Sequence, residues 1–224
     1  MNPLSSWWPV GTVYGTLLNF QAECTALAAR MHQPPYQAPP KAPVLYVKTA
    51  NTWSASGSAV AVPSHATEVE VGATVAMVLG PRAASGGSVA RAGSVAGYVL
   101  MNDLSLPHAS FFRPPVKFKC QDGFLGLGPR LVAAHQAGEP GRFQLQVRIN
   151  GDLRQRIDFA QLVRSADQLL ADVGAFMTLR EGDVLMLGCD AGRPLAHVGD
   201  HIEISAPALP LFGTLSSTLV AEAV

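Results

Sequence analysis

Lys41, Lys48, Lys117 and Lys119 make up the whole lysine complement of the chain. Two of them stand in FRPPVKFKCQDGF with Arg113 and aromatic neighbours. A desolvated ammonium is a good electrophile or carboxylate clamp, so this segment suits an anionic substrate. A basic surface loop is the competing explanation. Glu68 and Glu70 lie two apart in a strand-like run, which puts both on one face. With Asp103 at the end of the next strand they would make three oxygen donors for a divalent cation. A solvated strand face explains the pair as well. His197 and His201 have the spacing of two ligands on one helix face, but Gly199-Asp200 between them signals a turn. No Gly-x-Ser-x-Gly elbow occurs: Ser85-Gly86-Gly87-Ser88 and Gly93-Ser94 do not supply it. Gly123, Gly126 and Gly128 lack the spacing of a dinucleotide fingerprint. Cys24, Cys120 and Cys189 are odd in number and form no Cys-x-x-Cys pair. They read as small buried hydrophobes in a reducing cytoplasm, not as a disulfide framework or zinc site.

The background is nearly neutral. Sixteen basic residues balance sixteen acidic ones, only 14% of the 224 residues are charged, and 48% are hydrophobic. Mean hydropathy is +0.21 and the pI is near 7.0. That removes the basic footprint of a nucleic-acid binder and the polybasic attraction to an anionic membrane. No apolar run approaches the roughly 20 residues of a membrane span. Met1 to Thr16 lacks the positive start of a secretory signal. Globular domains carry about 25% charged residues, so this chain is under-charged and a buried partner interface is expected.

The elements that must position these groups are mostly strands. Residues 12–20, 44–49, 67–79, 97–106 and 181–188 read as strands, and Val75 to Leu79 has the continuous apolar run of a buried one. Residues 21–31 have helical composition. The five prolines of 32–43 then force a loop, lid-like in length. A Gly/Ser-rich loop over 81–94 leads into an expected short helix, and residues 111–132 read as a binding loop. Residues 143–158 form a hairpin around Asn150-Gly151. The spacing of apolar residues predicts a helix over 161–179. The expectation is one strand-rich domain over 1–224, with 1–11 as an extension and 21–43 as a lid-like helix and loop.

Taken in order, several stretches resemble the fumarylacetoacetate hydrolase family over roughly residues 12–220. They are GTLLNF (15–20), QAPPKAPVLYVKTANT (37–52), VGATVAMVLG (71–80) and AGYVLMNDLSLP (96–107), then FFRPPVKFKCQDGF (111–124), RINGDLRQ (148–155) and LREGDVLMLG (179–188). Within the family the similarity points to the N-terminal half, or separate small subunit, of the isomerase/decarboxylase of 4-hydroxyphenylacetate catabolism. The resemblance implies a mainly β (α+β) fold, a mixed β-roll of packed sheets with a few flanking helices, usually dimeric. It implies chemistry on 2-oxo polycarboxylates, where Mg2+ or Mn2+ chelates the substrate and stabilises an enolate. In that subgroup 5-oxopent-3-ene-1,2,5-tricarboxylate is decarboxylated and the resulting dienol, 2-hydroxyhepta-2,4-diene-1,7-dioate, is isomerised. A non-catalytic scaffold paired with a metal-bearing paralogue, or another hydrolase or hydratase of the family, are the alternatives.

Residue by residue, the resemblance implies catalytic roles for Lys119 and Asp103 and substrate contacts for Arg113, Lys48, Asp122 and Cys189. The two metal-binding glutamates of the family correspond to Gly72 and Thr74, so only Asp103 of the ligand set remains. Glu68 and Glu70 lie four positions upstream of those sites, about 13 Å along a strand, too far for the same ion. The family's lid motif Asn-Tyr-x-x-His-x-x-Glu, whose His and Glu transfer protons, reads Asn19-Phe20-Gln21-Ala22-Glu23-Cys24-Thr25-Ala26. The late Gly-Thr-Pro that cradles a carboxylate reads Gly188-Cys189-Asp190. No tightly bound metal is expected in the family position. Either a second copy or a paralogous subunit is expected as partner.

Overall fold

The computed structural model describes residues 7–81, 94–108, 110 and 112–223. Among these, one sheet has eight strands and a second has five. The first runs, edge to edge, from β2 (Val44–Lys48) through β1 (Val13–Leu17), then the strands Val184–Met186, Ala73–Leu79, Val95–Asp103, Leu125–Leu127 and Trp53–Ala55. The short Val132–Ala133 strand pairs on Val95–Asp103 off this path. The second sheet holds Asp152–Asp158, Gln144–Ile149, His201–Ser205, Thr214–Ala221 and Ser58–Val62. The expected mainly β architecture of packed sheets is what the chain adopts. No described helix is long and apolar enough to cross a membrane.

Ala73–Leu79 is buried along its whole length because strands cover both of its edges and the sheet packs on both faces. Such a strand must be apolar throughout. Phe143 anchors the core between the sheets, with ring centroids 5.5 Å from Tyr98, 6.2 Å from Phe159 and 5.7 Å from Phe212. Edge-to-face pairs of this kind add to the area they bury. The predicted hairpin is present, with Asn150 (φ 53°) and Gly151 (φ 85°) taking the two left-handed turn positions.

Three expectations need adjustment. The 161–179 helix is shorter, Ala166–Phe176, because Ser165 caps it by accepting from Gln168 N. Residues 162–165 are not helical, and a 3-10 turn at Phe159–Gln161, closed by Asp158 accepting from Ala160 N, precedes them. The 67–79 strand is broken at Val71-Gly72, where Val69–Glu70 leaves to pair with Leu195–Ala196. Residues 111–132 contain the short helix α2 (Val116–Lys119) as well as strands. The Gly/Ser-rich loop and the short helix expected after it lie, but for the ends, outside the described residues.

The lid-like segment begins as expected with helix α1 (Gln21–Met31). It packs beside the β1–β2 edge, and Gly15 on β1 lies directly opposite Tyr46 on β2. The Tyr46 ring sits on the bare glycine; a Cβ there would overlap it. Gly15→Ala is therefore expected to cost about 1–3 kcal/mol, as overpacking does, read as a lowered urea midpoint. Wild-type stability in this variant would show that the ring has room to move.

Candidate active site

The site is built from the ends of three elements. Asp103 closes the Val95–Asp103 strand, Lys119 closes α2, and Tyr46 and Lys48 lie two apart on β2, on one face. All four are buried. Asp103 Oδ2 lies 2.6 Å from Lys119 Nζ, and Oδ1 lies 3.0 Å from Lys48 Nζ. The Tyr46 hydroxyl donates a hydrogen bond to Asp103 Oδ2. Lys119 Nζ also stands 4.7 Å from the Tyr46 ring centroid, a cation–π contact.

Burial alone would push the Asp103 carboxyl up, but the ammonium groups of Lys119 and Lys48 outweigh it and hold the carboxyl well below the usual range. Asp103 is therefore held as the carboxylate at neutral pH. Tyr46 moves the other way: burial, then the Asp103 charge, raises its phenol and keeps it a hydrogen-bond donor.

The two lysines have different work. Lys48 Nζ donates to the carbonyls of Lys119, Phe124 (2.8 Å) and Leu104 (3.3 Å) besides facing Asp103. An ammonium has three protons, and here all are committed. Lys48, expected as a substrate contact, is placed here as a tether that joins β2 to α2 and to the strand end at Asp103. Lys119 pairs with Asp103 and stands over the Tyr46 face. It lines a cavity of about 420 Å³ with Tyr46, Leu17, Phe112, Pro115 and Val116.

Arg113 is exposed between Phe112 and Pro114, both of which line that cavity. Asp122 is in none of the ion pairs found among the described residues. It is exposed and accepts from Asn51 Nδ2 at 2.6 Å, pinning the turn after β2. Cys189 is buried, and burial first, then the charge of Asp103, pushes its thiol up to about 12. It stays neutral at physiological pH.

The residues do not fit a divalent cation at the family position. Gly72 pairs beside Asp103, its carbonyl accepting from Asp103 N at 2.8 Å. A Cβ on Gly72 would overlap the Asp103 carbonyl and come within 3.1 Å of Cys189 Sγ. No side chain, ligand or otherwise, can stand there without moving the backbone. Thr74 turns its hydroxyl onto the Gly188 carbonyl. Asp103 itself is neutralised by two ammonium groups. Among the described residues no group of three His, Cys, Asp or Glu could hold a metal ion. Glu70, one of the pair read as a possible ligand, faces the Arg193 guanidinium at 3.5 Å instead. His197 and His201 flank a turn whose backbone is closed by Asp200, and His201 Nδ1 lies 3.1 Å from Thr218 Oγ1.

Three residues escaped the sequence reading. Tyr46 had a signal, its spacing of two from Lys48 on a strand. Glu23 had one too, since it occupies the His position of the lid motif. Arg193 had none: it pairs with Glu23 at 2.6 Å across 170 positions of chain.

The family model described as fumarylacetoacetate (FAA) hydrolase C-terminal matches residues 12–220. The chain is 38% identical over 212 residues to a 4-hydroxyphenylacetate degradation bifunctional isomerase/decarboxylase of Salmonella dublin, covering 95% of this chain and 48% of that protein. A protein of the same description from Escherichia coli is 34% identical over 200 residues, covering 89% and 46%. The chain thus spans about half the length of the curated relatives it matches. Among solved structures, a maleylpyruvate hydrolase from Sphingobium sp. SYK-6, in complex with manganese(II) and pyruvate, superposes with a TM-score of 0.74 at 22% identity, covering 96% of this chain and 72% of that one. A 5-carboxymethyl-2-hydroxymuconate delta-isomerase from Mycobacterium smegmatis gives 0.71 at 24% identity, covering 95% and 80%. These two likenesses show a shared fold.

Proposed function

Because the chain belongs to the fumarylacetoacetate hydrolase family, we propose that it is a subunit of a decarboxylase/isomerase of 4-hydroxyphenylacetate catabolism. Its substrates are then 5-oxopent-3-ene-1,2,5-tricarboxylate and the dienol product, 2-hydroxyhepta-2,4-diene-1,7-dioate. The observation that carries this reading is Lys119, fixed by Asp103 and Tyr46 at the wall of a 420 Å³ cavity. When carbon dioxide leaves, the electron pair of the broken C–C bond passes through the conjugated chain onto the oxo oxygen. A preorganised cation in a dry site stabilises such charge where it develops. Lys119 supplies that cation, Asp103 keeps it aimed, and the Tyr46 phenol holds Asp103 on its other side.

Cooperation with a second subunit is part of the reading. Val47, Phe112 and Val116 are 44%, 57% and 60% exposed around the Lys119 cavity. Apolar side chains clustered at a cavity mouth suit cover by a second copy or a paralogous subunit. Cytoplasmic residence goes with this catabolic role. The test is to assay the purified chain with the tricarboxylate, alone and with a co-expressed metal-bearing paralogue. Consumption of the tricarboxylate is expected; none in either arm would sink the reading. A non-catalytic scaffold is the second reading, favoured by the missing carboxylates at positions 72 and 74. It predicts a chain inactive alone that raises its partner's turnover.

The fit of the site to a lysine pair gives a further expectation. Turnover by the chain alone is expected to be unchanged by EDTA, and titration calorimetry with Mn2+ should show no saturable binding. A stoichiometric Mn2+ site lost in Asp103→Asn would contradict it.

A further inference from the structure

A cavity of about 310 Å³ lies under α1, and neither Lys119 nor Asp103 lines it. A smaller one of about 140 Å³ adjoins it. The two share Leu17, Leu18, Met31, Pro40 and Val44, so they form one cleft between α1, the β1–β2 end and the proline-rich loop. Most of its walls are apolar, and Val163 on one side is 41% exposed. The basic residues that line the cleft are Arg164, Arg30 and His32; among the described residues no Asp or Glu lines it. In a chain with sixteen acids and sixteen bases, a cleft walled by one sign of charge favours anions.

Arg164 is the most firmly placed of these groups. Asn19, fully buried two residues past β1, holds its backbone. Asn19 Oδ1 accepts from Arg164 N at 3.0 Å, and Nδ2 donates to the Arg164 carbonyl at 3.2 Å. The Asn19 carbonyl accepts from Val163 N at 2.9 Å. The side chain is clamped as well. Nε donates to Asp172 Oδ2 at 2.9 Å, and Nη2 donates at 2.9 Å to the carbonyl of Lys41, which stands between the wall residues Pro40 and Ala42. Asp172, on the helix Ala166–Phe176, orients the guanidinium but does not line the cleft. A guanidinium has five N–H donors. Those on Nη1 have no partner among the described residues. A cation fixed before its ligand arrives loses little freedom on binding.

We infer that this cleft is a second binding site of the chain, for a monocarboxylate with a flat aromatic body. Its carboxylate meets the Arg164 guanidinium in a charge-assisted hydrogen bond, and its ring lies among Leu18, Ala28, Met31, Pro39 and Val163. The Met31 thioether makes favourable contacts with aromatic rings, which selects an aryl over an alkyl body. A second charge on the ligand would be buried against apolar walls without a partner. That separates this ligand from the polycarboxylate proposed for the Lys119 cavity, and the inference does not rest on the isomerase reading. The volume is that of a small-molecule site. Leu17 lies opposite Val44 across β1 and β2, and both also line the Lys119 cavity. The bound acid therefore sits behind a wall of that cavity.

The test is titration of the full chain with phenylacetate, followed by calorimetry and by NMR of methyl-labelled methionines. Phenylacetate is expected to bind saturably at one site per chain and to shift the Met31 methyl signal, assigned by its loss in Met31→Leu. The neutral isostere phenylacetamide and the dianion phenylmalonate should each bind weaker by about 10-fold or more. Arg164→Met should weaken phenylacetate by about 10-fold or more. Arg164 also ties the loop to the helix, so Ala28→Phe gives a second variant that leaves those bonds intact. It fills the cleft from an exposed position on α1 and should weaken phenylacetate to a similar extent. Lys119→Met should leave the affinity unchanged. Absence of saturable binding at millimolar phenylacetate, equal binding of the amide or the dianion, or unchanged binding in Ala28→Phe would overturn the inference. Loss of binding in Lys119→Met would overturn it too, by placing the acid in the Lys119 cavity.

Discussion

Asp103→Asn is expected to destabilise the chain by about 3–5 kcal/mol, the loss found when one partner of a buried ion pair is removed. Asp103 serves two buried ammonium groups at once, Lys119 at 2.6 Å and Lys48 at 3.0 Å, so both are stranded by one substitution. The pH dependence has a definite sign. The folded carboxyl lies below its unfolded value, so its contribution is fully present above the ordinary aspartate range, near pH 4. In wild type it fades only as pH falls well below that range, through the lowered folded value. Burial lowers the folded pKa of Lys48, an effect Asp103 opposes in wild type. Without Asp103, Lys48 sheds its proton more readily in the folded state, so the gap between variant and wild type should narrow as pH rises from neutrality toward the lysine range. Urea unfolding across that pH series measures both effects. A variant within about 1 kcal/mol of wild type at neutral pH would mean that the ion pairs are not closed in solution.

Lys119→Met is expected to lower kcat/KM on the tricarboxylate by about 10²–10³-fold, the usual cost of removing one preorganised donor from developing negative charge. The methionine keeps the length of the side chain, and Asp103 keeps Lys48 and Tyr46, so folding should suffer less than in Asp103→Asn. Lys48→Met provides the contrast. It removes the tether to the Leu104, Lys119 and Phe124 carbonyls and is expected to appear first in stability. Steady-state kinetics beside unfolding curves separate the two lysines. A loss of activity in Lys119→Met smaller than about ten-fold would remove Lys119 from the role given to it.

Much of this chain was legible in its residues because the signals are local. Continuous apolar residues from Val75 to Leu79 can only be a strand covered on both faces. Asn150-Gly151 can take the two left-handed positions of a tight hairpin, and five prolines between residues 32 and 43 exclude a regular element. Asp103 and Lys119 were singled out through the order of motifs that the chain shares with its family, and the fold brings their side chains to 2.6 Å. The helix at 161–179 was read too long, because apolar periodicity does not show that Ser165 turns its hydroxyl back to stop the first turn.

What the sequence by itself determined is therefore the set of elements, the family, and the absence of carboxylates at positions 72 and 74. The tertiary structure alone decided how the remaining charges are spent. Lys48 and Lys119 are alike in sequence, yet one is consumed by backbone carbonyls and the other faces a cavity. Gly72 is pressed so closely on the Asp103 carbonyl that no side chain fits there. Glu23 and Arg193 meet across 170 residues. The reason is physical: strand and turn preferences act between neighbours, whereas the pairing of buried charges depends on which strand ends the fold brings within 3 Å of one another.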